Sequence, residues 1–238
     1  MPVKAVIFDK DGTLLNFDAL WVPVAERAFL AVLDGFLLPR DLLCDLMKAI
    51  GVKDGKTAVD GLLCGGTYGQ IGEAVHSVIV KERPDLTVQE VIDRTVQGFR
   101  EFVESVPPTP SCPNLRDVLC ALKDRGLKLA VVTSDDEVCT RKCLQGLGIA
   151  DLFDRVFTDD GVYPPKPDPY YLNAFCKAEG LTADEVVMVG DTPTDMTFAK
   201  AGGARGIGVA ATKENAAILA RYIGEIIPDL SALLEAVK

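Results

Sequence analysis

The chain has 238 residues, 48% of them hydrophobic and 25% charged, with only 14 prolines, so it is long enough for one large domain or a main domain with an insert and too apolar for a disordered one. Its 35 acidic and 25 basic residues give a net charge of -10, which repels nucleic-acid phosphates and excludes nucleic acid as a natural partner. An anionic ligand would have to be met locally, by a metal ion or a few placed cations.

The first apolar run, "KAVIF" at 4 to 8, is short, β-branched and unbroken, as in a strand buried on both faces of a parallel sheet. It ends abruptly in "DKDGT", which carries Asp9 and Asp11 and turns at Gly12. The run is too short for a secretory signal, and no later segment approaches the length of a membrane span. A cytoplasmic protein without a membrane partner is expected. The seven cysteines (Cys44, Cys64, Cys112, Cys120, Cys139, Cys143 and Cys176) are odd in number and dispersed, and read as reduced thiols.

From 15 to 106 the periodicity is helical, with no convincing strand, and the segment closes on the proline-rich "VPPTPSCP" at 106 to 113. Strands then recur at 127 to 133, 155 to 158, 185 to 190 and 205 to 210, with a weaker candidate at 222 to 227. Helical patterns separate them, at 114 to 126, 136 to 148, 168 to 180, 192 to 203 and 213 to 220, several ending on glycine. This alternation predicts an α/β fold, a Rossmann-like, doubly wound parallel sheet formed by 1–14 and 107–238, with 15–106 as an inserted helical domain. The insert leaves and rejoins the sheet just past the carboxyl ends of its strands, where open α/β sheets bind ligands, and is expected to lie over them.

Those strand ends are therefore taken together. They deliver Asp9 and Asp11, Thr133 and Ser134, Lys166 of "PPKPDP", and Asp191 and Asp195 of "GDTPTD" to one edge. Carboxylates so crowded repel one another unless a cation sits among them, and hard oxygen ligands without histidine or cysteine suit Mg2+. A carboxylate beside a metal and a phosphoryl group can act as nucleophile, the role expected of Asp9, while Asp11 could exchange a proton with the leaving oxygen and the attacking water. Thr133, the backbone amide of Ser134 and Lys166 would neutralise charge on the transferred group.

Other stretches carry weaker signals. "GVKDGKT" at 51 to 57 is one residue short of a P-loop and follows a helical pattern, so a solvated linker or a substrate-facing loop around Lys53 is the better reading. "GLLCGGTYGQ" at 61 to 70 reads as a helix junction, and His76 has no partner at metal spacing. Phe17 and Trp21, just past the acidic turn, suit either a core or a substrate-facing wall. Cys139 and Cys143 share a helix face but form only half a zinc site.

"FDKDGTL" at 8 to 14, the "VVTS" strand end at 131 to 134, Lys166 in "PKPDP" and "GDTPTD" at 190 to 195 together resemble the four ordered motifs of the haloacid dehalogenase superfamily. The helical segment is similar to that family's type-1 cap, and "GIADLFDRVFTDDG" at 148 to 161 is similar to phosphoglycolate-phosphatase-like members. The resemblance implies a magnesium-dependent phosphatase acting on a small phosphorylated metabolite, of phosphoglycolate or sugar phosphate type, with the cap closing over substrate. Asp9 would be nucleophile and Asp11 general acid and base, with Thr133, Ser134 and Lys166 on phosphate. Asp9, the carbonyl of Asp11 and Asp191 would hold the metal, and Asp195 would support it through water or by holding Lys166. A phosphomutase of the same superfamily and a non-catalytic binding module are the competing readings. Ser134 departs from the asparagine of many relatives, and Lys10 from the apolar or small residue several of them carry; strand alternation would send Lys10 away from the two aspartates.

Overall fold

The stretch Ala5–Phe8 is buried at all four positions and forms β1, hydrogen-bonded to a parallel strand on either side. A strand can place four apolar residues in a row out of water only if both its faces are covered. The computed structural model describes residues 2–159 and 161–237; Met1, Lys238, and Asp160 of the 148–161 stretch, lie outside the described residues. The chain divides into two compact units, one formed by the residues up to Asn16 together with those from Pro108 onward, the other by Phe17–Pro107.

The second unit is helical. Its helix α1 (Phe17–Gly35) buries Leu20, Val24, Ala28 and Val32, a stripe at four-residue spacing. After α2 (Leu43–Ala49) the stretch for which a solvated linker or a substrate-facing loop is expected forms a small antiparallel hairpin, β2 (Val52–Lys53) and β3 (Lys56–Thr57). Asp54 and Gly55 form its turn with φ of 51° and 71°, the left-handed pair that a two-residue hairpin requires. The hairpin is tied to the first turn of α1, where Asp18 accepts from the Thr57 amide at 3.0 Å and pairs with Lys56 at 3.3 Å. The glycine-rich segment that follows is a junction between α3 (Leu62–Gly65) and α4 (Tyr68–Ile79). Both α4 and α5 (Val88–Val103) open on reciprocal caps, Thr67 with Gln70 and Thr87 with Glu90. Phe29 meets Phe99 edge to face across α1 and α5, and His76 contacts the Leu86 carbonyl at 3.1 Å.

The first unit is a sheet between two helix layers. After β1 it contains α6 (Leu115–Asp124), β4 (Lys128–Val132), α7 (Glu137–Gly146), β5 (Arg155–Phe157), α8 (Tyr170–Glu179), β6 (Val186–Gly190), α9 (Pro193–Gly202), β7 (Arg205–Val209), α10 (Lys213–Leu219), β8 (Ile226–Ile227) and α11 (Leu233–Ala236). Among the described residues six parallel strands run in the order β5-β4-β1-β6-β7-β8. Side chains alternate across it. Val6, Phe8, Leu129, Val131, Val187 and Val189 pack on one face with Leu119 and Leu122 of α6. Ala5, Ile7, Ala130, Val132 and Met188 face the other way, toward Phe175 of α8 and Phe198 of α9. Burial on both faces is what the apolar strands demanded, and the α/β class follows. Phe8 stands level with Val131 and with Val189, so β1, β4 and β6 end side by side.

Asp154 locks the opposite end of the sheet. It donates its amide to the Leu129 carbonyl at 2.8 Å and accepts the Leu129 amide at 2.9 Å, while Lys123 and Lys128 reach its carboxylate at 2.7 and 3.1 Å. Burial opposes its ionisation, but the Lys123, Leu129 and Lys128 hydrogen bonds outweigh that and hold its pKa at about 2. This stabilisation is present above the ordinary carboxylate pKa and fades as pH falls toward 2. Asp154→Ala is expected to lower unfolding free energy by about 1–3 kcal/mol in a urea titration at neutral pH, because the Leu129 amide loses its partner. An unchanged midpoint would show that the clamp contributes nothing.

Candidate active site

Where β1 ends, the Asp9 amide still bonds to the Val189 carbonyl at 2.9 Å, and then the chain turns. The Lys10 carbonyl accepts from both Leu14 and Leu15, and the Gly12 amide donates to the Leu15 carbonyl. Gly12 has φ +83°, and a β-carbon there would fall 2.1 Å from Asp191 Oδ2. Glycine is therefore required twice, by backbone conformation and by the carboxylate packed against it. Thr13 Oγ1 donates to Asp191 Oδ1 at 3.0 Å and fixes that side chain.

The end of β6 is built as closely. Thr192 caps α9, Pro193 takes its first turn, and Asp195 and Thr192 bond reciprocally: Thr192 N and Oγ1 donate to Asp195 Oδ2 at 3.1 and 2.6 Å. A β-carbon on Gly190 would lie 2.4 Å from Asp195. The other oxygen of Asp195 accepts from Lys166 Nζ at 2.7 Å, and the same ammonium is 2.5 Å from Asp9 Oδ1.

Oxygens of Asp9, Asp191 and Asp195 lie within 4.8 Å of one another. Burial raises the Asp9 pKa, the Lys166 ammonium opposes it, and the Asp195 and Asp11 carboxylates add to the rise, leaving it at about 7. Burial pushes Asp191 well above the usual carboxylate range, helped by Asp9 and Asp195. A divalent cation would relieve this, and an all-oxygen set without nitrogen or sulfur donors fits a hard ion. Both Asp195 oxygens are already engaged, which leaves Asp9 and Asp191 as the carboxylates open to it.

Thr133 and Ser134 follow β4, the strand beside β1. Thr133 is buried, donating its amide to Phe157 O at 3.0 Å and accepting the Asp135 amide on Oγ1 at 3.2 Å; its hydroxyl proton remains to be donated, and Ser134 is exposed. The Asp11 carboxyl is turned to Lys10, Oδ2 to Nζ 2.6 Å. Lys10 itself departs from expectation: it does not point away from the acids but is fully buried, with Asp135 Oδ2 at 2.8 Å as well. The strand stops at Phe8, so alternation no longer governs residue 10. Burial works against its charge, and Asp11 and Asp135 outweigh it, holding the ammonium well above the ordinary lysine pKa. Thr13, Lys10 and Asp135 were not singled out as site residues; the traces they left were a threonine beside a strand-end glycine and a lysine wedged between two aspartates.

Phe17, Trp21 and Lys53 belong to the helical unit. The Phe17 and Trp21 rings lie 6.3 Å apart at the start of α1, tilted by 36°; Trp21 is buried, and Lys53 is exposed on β2.

A family model described as haloacid dehalogenase-like hydrolase matches residues 3–203. The chain belongs to the haloacid dehalogenase-like hydrolases. Within them it is similar to the phosphoglycolate phosphatase of Rhodospirillum rubrum, 34% identical over 210 residues covering 84% of this chain and 76% of the relative. It is also similar to that of Neisseria meningitidis, 30% identical over 210 residues covering 87% and 80%. A crystal structure from Haemophilus somnus, described as a predicted phosphoglycolate phosphatase, superposes with a TM-score of 0.75 at 22% identity, over 99% of this chain and 98% of that one. In this hydrolase no helix among the described residues is long and apolar enough to cross a membrane.

The raised Asp9 pKa makes a prediction for the metal-free protein. The folded state binds its proton more tightly than the unfolded chain, so ionising Asp9 removes stability as pH rises from about 4 to about 7. In chelator, Asp9→Asn should melt higher than the parent at pH 8 and by a clearly smaller margin at pH 5 by differential scanning fluorimetry. A lower melting point at pH 8 would mean that the Lys166 pairing, not desolvation, dominates at Asp9.

Proposed function

We propose that this hydrolase is a magnesium-dependent phosphatase acting on a small phosphomonoester, with phosphoglycolate and sugar phosphates the nearest chemical classes, through an aspartyl-phosphate on Asp9. The observation that carries the reading is the pairing of Asp9 with Lys166 at 2.5 Å inside a three-carboxylate cluster at the strand ends. Bound Mg2+, held by Asp9, the carbonyl of Asp11 and Asp191, would neutralise charge on the phosphoryl oxygens.

Asp9 attacks phosphorus with a carboxylate oxygen; the ester P–O bond breaks, and its electron pair leaves on the alcohol oxygen, which takes a proton from Asp11. Water then attacks the same phosphorus, gives a proton back to Asp11, and the bond to Asp9 breaks to restore the carboxylate. Lys166 and the Thr133 hydroxyl, with the Ser134 amide, hold the phosphoryl oxygens while charge spreads over them. Asp195 keeps Lys166 aimed at Asp9. The acidic protein surface, with net charge -10, would otherwise repel such an anion, so local cations must do the capture.

Purified protein with Mg2+ should release inorganic phosphate from at least one member of a panel of phosphorylated metabolites, and Asp9→Asn should lower kcat by at least about 10³-fold, as loss of a covalent nucleophile does. Phosphate returned to a sugar hydroxyl in place of water, seen by phosphorus NMR, would contradict hydrolysis. The apparent affinity for Mg2+, followed by calorimetry, is expected to weaken as pH falls through about 7, because the ion must displace the proton that burial keeps on Asp9. Affinity independent of pH between 5 and 8 would place the ion elsewhere.

A further inference from the structure

From the buried ion network beside the site we infer that Lys10 is a positioning residue for Asp11, holding its carboxyl clear of the Asp9, Asp191 and Asp195 cluster and in the orientation from which it exchanges protons. The inference rests on the phosphatase reading, in which Asp11 is the acid and base.

Lys10 is 0% exposed, two residues past the end of β1. A buried ammonium persists only where paired, and its charge therefore serves its two partners. Those partners come from different places. Asp11 belongs to the turn after β1, and Asp135 follows the Thr133–Ser134 stretch after β4; Lys10 Nζ bridges them at 2.6 and 2.8 Å.

Asp135 is itself anchored. Its amide donates to Thr133 Oγ1 at 3.2 Å, and its carbonyl accepts from the Asp159 amide at 2.9 Å. Lys10 thus hangs Asp11 from a fixed point beside the residues assigned to phosphate. Without the ammonium, the Asp9 and Asp135 carboxylates, both of which interact with Asp11 unfavourably, would no longer be offset by a charge between them. Their repulsion would favour a swing of the Asp11 side chain toward solvent, where 19% of its surface already lies. The same partial exposure of Asp11, and of Asp135 at 22%, lets water solvate both carboxylates when the lysine is removed, so a neutral variant can fold.

The test uses leaving groups. kcat/KM reports steps up to transfer of the phosphoryl group to Asp9, and that step needs an acid for an alkyl alcohol but not for p-nitrophenolate. In the full-length protein with Mg2+, Lys10→Met is expected to lower kcat/KM about 100-fold for an alkyl phosphomonoester and less than about threefold for p-nitrophenyl phosphate. Asp11→Asn should show the same skew, and Asp135→Asn, which keeps the lysine but loosens its anchor, a smaller one. Thermal melts verify folding; if Lys10→Met fails to fold, Asp135→Asn carries the comparison alone. Equal losses on the two substrates, or no loss on either, would overturn the assignment and leave Lys10 a packing residue. Parent protein inactive on both substrates would instead overturn the phosphatase reading, and this inference with it.

Discussion

Three carboxylates crowded at the ends of adjacent strands are the constraint on which the rest of the site depends. Two unit charges 4.8 Å apart repel by about 3 kcal/mol at an effective dielectric near 20, so three such pairs approach the whole stability of an ordinary domain. Lys166, shared between Asp9 and Asp195, offsets part of this. Burial, with the remaining repulsion added to it, explains why Asp9 and Asp191 hold protons above the usual carboxylate range, and why a cation would relieve the cluster.

The fold exists to make that crowding rigid. Because β1, β4 and β6 end in register, the acids and the hydroxyls share one edge of the sheet, and Lys166 reaches it from the segment between β5 and α8. Two glycines bring backbone into van der Waals range of Asp191 and Asp195, Thr13 holds one oxygen of Asp191, and Thr192 takes up the Asp195 oxygen that does not meet Lys166. A second cationic tie, Lys10 between Asp11 and Asp135, keeps one acid out of the cluster. The site therefore has two acid groupings of different character, one whose crowding a bound cation would relieve and one already carrying a lysine between its acids.

Much of this was legible in the residues. Short, unbroken β-branched runs bounded by turn residues suit strands buried on both faces of a parallel sheet, and their order dictated which residues share an edge. Gly12 and the Thr-Pro-x-Asp pattern near Asp195 carried their structural meaning openly. The hairpin at Val52–Thr57 did not, although Asp54-Gly55 is a strong two-residue turn: two-residue strands are too short to show alternation, and the lysines around them read as solvated loop. Lys10 was misjudged for a different reason. Its partner Asp135 lies 125 positions on, and only the parallel pairing of β1 with β4 brings them together.

A covalent bond from Asp9 to phosphorus would be caught by acid-quenching the enzyme with Mg2+ and substrate before steady state and mapping its peptides by mass spectrometry. A phosphate adduct is expected on the peptide carrying Asp9, localised to that residue and absent from Asp9→Asn. Turnover with no adduct on any carboxylate, or an adduct on Asp191 or Asp195, would contradict it.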